Sequence, residues 1–166
     1  MIITRIRGAA IAALLLPAPL AAPIALATPA VAATCTWHAA ELEDEGGPVL
    51  TASVCLTDAT GAPQLLLQCL GGPHLSYDLG SGAANIEPDT KADFTFRVGG
   101  KSIVRQMTLE AMYNYFTLDL EAKNDPLLIL LGSGFEVRVE SGDYGTRVFP
   151  LRGAKAAIGK VLAQCN

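Results

Sequence analysis

The feature that most constrains the fold of this 166-residue chain is a two-residue alternation of apolar and polar side chains, which recurs in short segments after residue 33. In one segment Phe94, Phe96 and Val98 share a strand face that would point inward. Glycine, proline, asparagine and aspartate separate the segments, as is typical of strands joined by turns. The segments are 34–42, 49–58, 64–70, 74–80, 93–98, 101–109, 113–121, 135–141 and 146–151. The pattern predicts a mainly β fold, an antiparallel sandwich or half-barrel of about eight strands.

Several turn signals indicate how the strands connect. Residues 59–63, ATGAP, predict a hairpin between the second and third segments, and Gly99-Gly100 predict another in which both glycines can adopt positive φ. The charged stretch 43–48 is expected to break the first strand, and 81–92 to form a surface loop. Residues 65–67 are three leucines, apolar on both faces, so their strand should be central and covered on both sides.

Two segments carry a helical pattern instead. Asp125 before Pro126 is a favourable cap followed by a favoured first helical residue, and Gly132 is a stop, which predicts a short helix near 126–131. A C-terminal helix is expected near 153–164, with Cys165 on its apolar side facing the sheet. Its apolar stripe is Ala154, Ala157, Ile158, Val161, Leu162 and Cys165.

The N-terminal 33 residues have the plan of a secretory signal peptide. Arg5 and Arg7 precede an uncharged run over 9–33 that ends in small residues, with cleavage after Ala32 or Ala33. A transmembrane anchor is the alternative, since the run exceeds the ~20 residues that span a bilayer. Four prolines interrupt the run and no basic cluster follows it, which favours cleavage. We therefore expect a signal peptide over 1–33 and one disulfide-bonded β-rich domain over 34–166, periplasmic or secreted and without stable membrane insertion.

The charge distribution argues against nucleic-acid binding. All 16 acidic residues follow residue 33, and 2 of the 12 basic residues precede it, so the mature chain carries 10 minus 16, or −6. No clustered lysine and arginine stripe offsets this charge, and a negative domain repels phosphates.

Four cysteines remain in the mature chain: Cys35, Cys55, Cys69 and Cys165. An even number in an exported protein predicts two disulfides, with three pairings open. Lipid attachment at Cys35 is disfavoured, because Thr34 stands where a lipoprotein signal has glycine or alanine and Ala32 stands where leucine is typical.

Neither metal nor cofactor binding is predicted. The cysteines and histidines lack zinc-site spacing. Two acidic groups, residues 41–45 and the trio Glu87, Asp89 and Asp93, do not match the alternating calcium loop with its central glycine. We interpret both as solvated surface charge.

A catalytic site is also not predicted. His74, Ser76 and Asp78 share one strand face, but neighbours on such a face are roughly 6.6 Å apart, too far for a hydrogen-bonded triad. We interpret that face as solvated, and the isolated His38 as a partly exposed strand residue. The alternative is a small hydrolase or inhibitor that acts through loop residues such as His74 or Asp143.

The aromatic residues supply the candidate partner contacts. Tyr113, Tyr115 and Phe116 are the densest aromatic group, and such residues either anchor partners or fill a core. Tyr113, Tyr115 and Tyr144 are the predicted partner contacts.

The C-terminal part resembles a known family. Residues 126–166 contain a Leu-Leu helix, a strand with arginine, a Tyr-Gly turn, a Phe-x-Leu-x-Gly step and an alanine-bearing helix ending in cysteine, and 63–69 contain a Pro-x-Leu-x-x-x-Cys strand. This sequence pattern resembles that of the type VI secretion-associated periplasmic proteins called VasI or TagO, over about 48–166. It resembles more loosely the invasion-associated locus B type. The matching residues are Leu127, Leu128, Arg138, Tyr144, Gly145, Phe149, Leu151, Gly153, Ala157, Cys165 and Cys69.

The resemblance implies a disulfide pairing and a role, but no catalytic residue. Cys69 and Cys165 match the family pattern, which implies that they pair and leave Cys35 to pair with Cys55. The expected function is an exported non-enzymatic binding or accessory module, associated with an envelope or secretion assembly.

Overall fold

The structure is a computed structural model that describes residues 35–44, 46–55, 65–80, 86–110 and 112–165. The predicted signal peptide over 1–33 and the connection over 59–63 lie outside the described residues. Nine strands form one sheet in the order β1-β2-β3-β4-β7-β6-β5-β8-β9, and every neighbouring pair is antiparallel. The strands are β1 (His38–Asp44), β2 (Gly47–Val54), β3 (Leu65–Cys69), β4 (Pro73–Asp78), β5 (Lys91–Val98), β6 (Lys101–Glu110), β7 (Tyr115–Asp119), β8 (Glu136–Glu140) and β9 (Thr146–Pro150).

The mainly β antiparallel fold with two short helices confirms the predicted fold class. Nine strands are present rather than about eight, and each lies within or overlaps a segment that alternation indicated. Phe94, Phe96 and Val98 are buried, as their shared face predicts. The three leucines at 65–67 are also buried, on a strand that has a neighbour at each side, so the prediction of a covered interior strand is confirmed.

The sheet curls around its core, which brings β9 close to β4 and forms a seam where the segment before β1 meets the segment after β9. Tyr77 on β4 and Phe149 on β9 are distant along the strand order, yet their ring centroids are only 6.1 Å apart, with the rings nearly perpendicular. At the seam, the Trp37 backbone N–H donates to the Arg152 carbonyl over 3.0 Å. We call the concave side, which carries these aromatic rings, the core face, and the opposite side the second face.

Arg147 on β9 is hydrogen-bonded to the end of β4. Its guanidinium donates to the carbonyls of Asp78 and Leu79 over 2.6 and 3.1 Å, and lies 5.3 Å from the centroid of the Tyr77 ring. The Tyr77 side chain is fully buried, and burial is the main reason why its pKa is raised. The positive charge of Arg147 and the nearby Ser141 hydroxyl reduce this rise in pKa. Within the described ranges the Tyr77 hydroxyl nevertheless makes no hydrogen bond of good geometry.

Both predicted helices are present. Helix α1 (Pro126–Leu131) begins where the Leu127 N–H donates to the Asp125 carboxylate over 2.7 Å. Helix α2 (Ala154–Leu162) packs its alanine, isoleucine and valine stripe against β1, β2 and β3. Neither helix has the length and apolar character that crossing a membrane requires, a finding limited to the part of the chain that the structure describes.

Two details of the turns differ from the predictions. Strand pairing in the first hairpin continues to Asp44, which lies opposite Gly47, so the strands extend into 43–48 instead of breaking there. The strands extend this far because cross-strand pairing of β1 with β2 outweighs the unfavourable strand propensity of the acidic side chains. In the β5–β6 hairpin Gly99 alone adopts a positive φ, +56°, and Gly100 does not.

The two disulfides join Cys35 to Cys55 and Cys69 to Cys165. This is the pairing that the family resemblance implied. The second bridge connects Cys165, three residues after the end of α2, to Cys69 on β3, so the C-terminal helix is covalently held against the sheet.

Candidate functional site

A cleft of about 390 Å³ opens on the second face, and we call it the second-face cleft. Side chains from β1, β3, β4, β6 and β7 line it, together with residues just after β3 and β6. The lining residues are Leu42, Glu43, Asp44, Leu66, Gln68, Leu70, His74, Ser76, Glu110, Tyr113 and Tyr115. The cleft thus combines leucine side chains, two tyrosines and three carboxylates.

Strand register assembles the floor of the cleft from residues far apart in sequence. Gln68 on β3 lies opposite His74 on β4, and His74 lies opposite Asp119 on β7. Neighbouring strands are about 4.8 Å apart, so side chains at paired positions on one face are in reach of each other.

Ser76 shows that this face is covered, and our interpretation of it as solvated is wrong there. The Ser76 side chain is 4 % exposed, and Thr51, Ser53 and Leu66 on the same face are also buried. Asp44, at the end of the first hairpin, and Tyr113, in the turn after β6, line the same cleft as Ser76. Alternation alone distinguishes the two faces of a strand but does not show that the second face is enclosed as well.

His74 forms the closest polar contact beside the cleft. Its Nδ1–H donates to the Asp119 carboxylate over 2.7 Å, and the His74 side chain is 15 % exposed whereas that of Asp119 is 91 % exposed. This contact fixes the orientation of the imidazole, and Nε2 is the ring nitrogen that takes no part in it. Asp78 instead accepts a hydrogen bond from the Gly80 N–H over 2.5 Å. The structure therefore pairs His74 with Asp119 and not with Asp78.

A short hydrogen-bond chain fixes Gln68 on the cleft floor. The Gln68 amide donates to the Thr51 hydroxyl over 3.1 Å, and that hydroxyl donates to the Val49 carbonyl over 3.1 Å. Because each group in the chain has a partner, the amide is held in one orientation.

Tyr113 and Tyr115 lie side by side at the cleft. Their ring centroids are 6.3 Å apart and their planes are inclined by 30°. Asn114 between them has φ +58°, a left-handed conformation that asparagine tolerates well, and this turn brings both rings to the same side. Tyr113 is 40 % exposed. The pKa of Tyr115 is raised, first by burial and then by the negative charge of Asp78.

The third predicted contact, Tyr144, lies elsewhere. It packs against Phe116 with ring centroids 5.0 Å apart, and it is half-buried beside Arg147 in a separate pocket of about 380 Å³. Asp143 lines that pocket too, within a 3-10 turn over Gly142–Tyr144. The structure thus brings Tyr113 and Tyr115 together and separates them from Tyr144.

The remaining candidate metal ligands do not form a cluster in the part of the chain that the structure describes. His38 is exposed on β1 and its Nδ1–H donates to the Thr36 carbonyl over 3.3 Å. Across the described ranges, no group of three or more histidine, cysteine, aspartate or glutamate side chains is arranged to hold a metal ion.

Sequence reasoning did not identify Asp119, Gln68 or Glu110 as parts of one site. Asp119 stands on the polar side of its strand, which is the one available signal. Its pairing with His74 spans 45 residues and depends on β4 and β7 being neighbours, which local patterns do not encode.

Three comparisons with known proteins, against family models, curated proteins and solved structures, each found no match.

Proposed function

We propose that this chain is an exported, non-enzymatic binding or accessory module that contacts a protein of the cell envelope through the second-face cleft. Tyr113 and Tyr115 are its anchoring residues. The C-terminal resemblance favours an accessory role in a secretion assembly of the type VI class, and the two disulfides are compatible with an oxidising compartment.

The observation that carries the proposal is the tyrosine pair beside a partly apolar cleft. Tyrosine is enriched in interface hot spots because it buries a large ring and keeps a polar tip. The pair is held by a tight turn, so little conformational freedom is lost when a partner binds. Leu42 and Leu70 provide the apolar surface that an anchoring contact needs.

Site-specific photo-crosslinking tests the proposal. Benzoylphenylalanine replaces Tyr113 in the producing cell, and crosslinked proteins are identified by mass spectrometry after ultraviolet exposure. We expect one envelope protein to be captured, and we expect Tyr115→Ser in the same chain to reduce the adduct severalfold because the adjacent ring is lost.

Val104 is the matched control position. It lies on the second face of β6, is 55 % exposed and does not line the cleft. The same crosslinker there should give no such adduct. Equal capture from both positions, or none from Tyr113, would contradict the proposed contact surface.

A second candidate function, a small hydrolase, is favoured by the His74–Asp119 hydrogen bond. A carboxylate on Nδ1 orients an imidazole for proton transfer at Nε2, as in many hydrolases. Screening against ester, peptide and glycoside substrates separates this from the binding module. Turnover that is lost in His74→Ala and reduced in Asp119→Asn, with unchanged circular dichroism, would favour the hydrolase; no turnover would favour the module.

A further inference from the structure

Two of the most exposed apolar side chains of the described residues line grooves that share Ser133, away from the second-face cleft. Ile129 on α1 is 63 % exposed and Phe135, just before β8, is 94 % exposed. Three shallow grooves of 480 to 490 Å³ surround them, and Ser133 lines all three. We call the segment from Ile129 to Phe135 the apolar tip.

The backbone of the apolar tip is firmly anchored, while the side chains of Ile129 and Phe135 are exposed. Gly134 has φ +87°, and a Cβ at that position would lie 2.5 Å from the Val98 side chain, so the loop fits closely against β5. The Phe135 carbonyl accepts a hydrogen bond from the Leu151 N–H over 2.7 Å. The Ser133 hydroxyl donates to the Leu130 carbonyl over 2.8 Å. A well-anchored backbone that presents a nearly fully exposed phenylalanine indicates a contact surface, since the ring contributes little to the fold.

Lysines surround the tip. Lys123 and Lys155 line the groove beside Ile129, and Lys101 lines the two other grooves. Glu136 is the one acidic residue among the residues lining these grooves, so their formal charge is +3 −1, or +2, against −4 for the whole chain. None of these lysines forms an ion pair with a described carboxylate.

From this combination we propose that the apolar tip binds the surface of an anionic phospholipid bilayer. Phe135 and Ile129 enter the boundary between headgroups and acyl chains, and the three lysines contact the lipid phosphates. The charge of the lysines is complementary to an anionic surface. The Phe135 ring projects from the protein surface instead of lying in a pocket. A fluid bilayer can surround such a ring without itself having a shaped pocket. The attachment that we propose is peripheral.

Vesicle flotation tests the inference. The protein is purified from a host that exports it, and mass spectrometry confirms that wild type and variants have the same N terminus. Vesicles contain either phosphatidylcholine alone or an equal mixture with phosphatidylglycerol. We expect binding to the anionic vesicles only, weakened as salt rises from about 0.05 to about 0.5 M because salt screens exposed charges.

Variants locate the contact. Each lysine near an anionic surface contributes roughly fivefold in affinity, so joint substitution of Lys101, Lys123 and Lys155 by glutamine should weaken binding on the order of a hundredfold. Phe135→Ser should weaken it about tenfold, since burial of the ring is lost. As matched controls, Lys91→Gln and Val104→Ser change an exposed lysine and an exposed apolar residue elsewhere, and should stay within about twofold of wild type.

Four results would overturn the inference. They are no binding to anionic vesicles, equal binding to neutral vesicles, unchanged binding of Phe135→Ser, and sedimentation velocity showing a dimer that Phe135→Ser dissociates. The last would assign the tip to a second copy of this chain. A crosslink from position 135 to an acidic protein in cells, without vesicle binding, would assign it to a protein partner. None of these results concerns the second-face cleft, so the two proposals can fail separately.

Discussion

Removing the two disulfides one at a time should destabilise the protein by different amounts. The Cys69–Cys165 bridge has a sequence separation of 96 and the Cys35–Cys55 bridge a separation of 20. Alanine replaces both cysteines of one pair in each variant, so that no free thiol is left to exchange and no hydroxyl is buried in place of sulfur.

The magnitudes follow from loop closure in the unfolded chain. In the chain-entropy treatment, losing the longer loop costs about 4.7 kcal/mol at 25 °C and losing the shorter one about 3.3 kcal/mol. The expected difference in the free energy of unfolding is therefore about 1.4 kcal/mol. Either loss is a large part of the roughly 5–15 kcal/mol that stabilises a typical domain.

Urea unfolding measures both variants. Trp37 is the one tryptophan of the chain and is buried, so its fluorescence reports loss of the core. Far-ultraviolet circular dichroism is the second probe, because Trp37 lies close in sequence to Cys35 and its emission is sensitive to that substitution. With a denaturant slope of about 1–3 kcal/mol per M, the Cys69→Ala/Cys165→Ala midpoint should fall by roughly 1.5–5 M.

The ordering of the two losses is the decisive result. If Cys35→Ala/Cys55→Ala lost as much stability as the other variant, or more, loop length would not govern these bridges. A native-state contribution, such as the hold of the Cys69–Cys165 bridge on α2, would instead enlarge the difference beyond 1.4 kcal/mol.

Three further predictions concern single residues, each measured by urea unfolding. Gly134→Ala should cost about 2 kcal/mol or more through both positive φ and a clash, whereas Gly99→Ala, with positive φ but open space around it, should cost about 1 kcal/mol; similar costs would contradict the close packing of the tip loop. Asp125→Ala should cost about 1–2 kcal/mol, because it removes both the helix cap and the ion pair with Arg105, and Asp125→Asn should cost less because the cap acceptor remains; equal costs would assign the effect to the ion pair rather than to capping. Tyr77→Phe should change stability by less than about 1 kcal/mol at pH 7. Because the folded pKa of Tyr77 is raised, its contribution is intact below pH 10 and is lost as pH rises through the folded pKa, so the phenylalanine variant should lose less stability above about pH 10; parallel pH profiles would contradict this.

The strands and helices could be predicted because their causes are local. Two-residue alternation indicated most of the strands, the run of three leucines indicated β3, and the pair Asp125-Pro126 located the start of α1. The first hairpin was placed less well, because cross-strand pairing of β1 with β2 outweighs the unfavourable strand propensity of its acidic residues.

The candidate site depended on strand order, which local patterns do not contain. Tyr113 and Tyr115 stood out as aromatic residues in sequence, but their cleft exists because β4 pairs with β7 and the second face is partly covered. The same non-local pairing supplies Asp119 to His74. Tyr144, the third predicted contact, packs in a different place, because it lies in the turn before β9 rather than at the start of β7.

The seam where Trp37 meets Arg152 also bears on the order in which the chain can fold during its synthesis. Strands β1 to β3 cover their core face with α2, and β4 contacts β9, so residues made first depend on residues made last. A chain emerging N terminus first, from a ribosome or a translocation pore, therefore lacks a complete core until nearly its whole length is free. Such long-range closure predicts slow, concerted folding rather than stepwise growth from the N terminus.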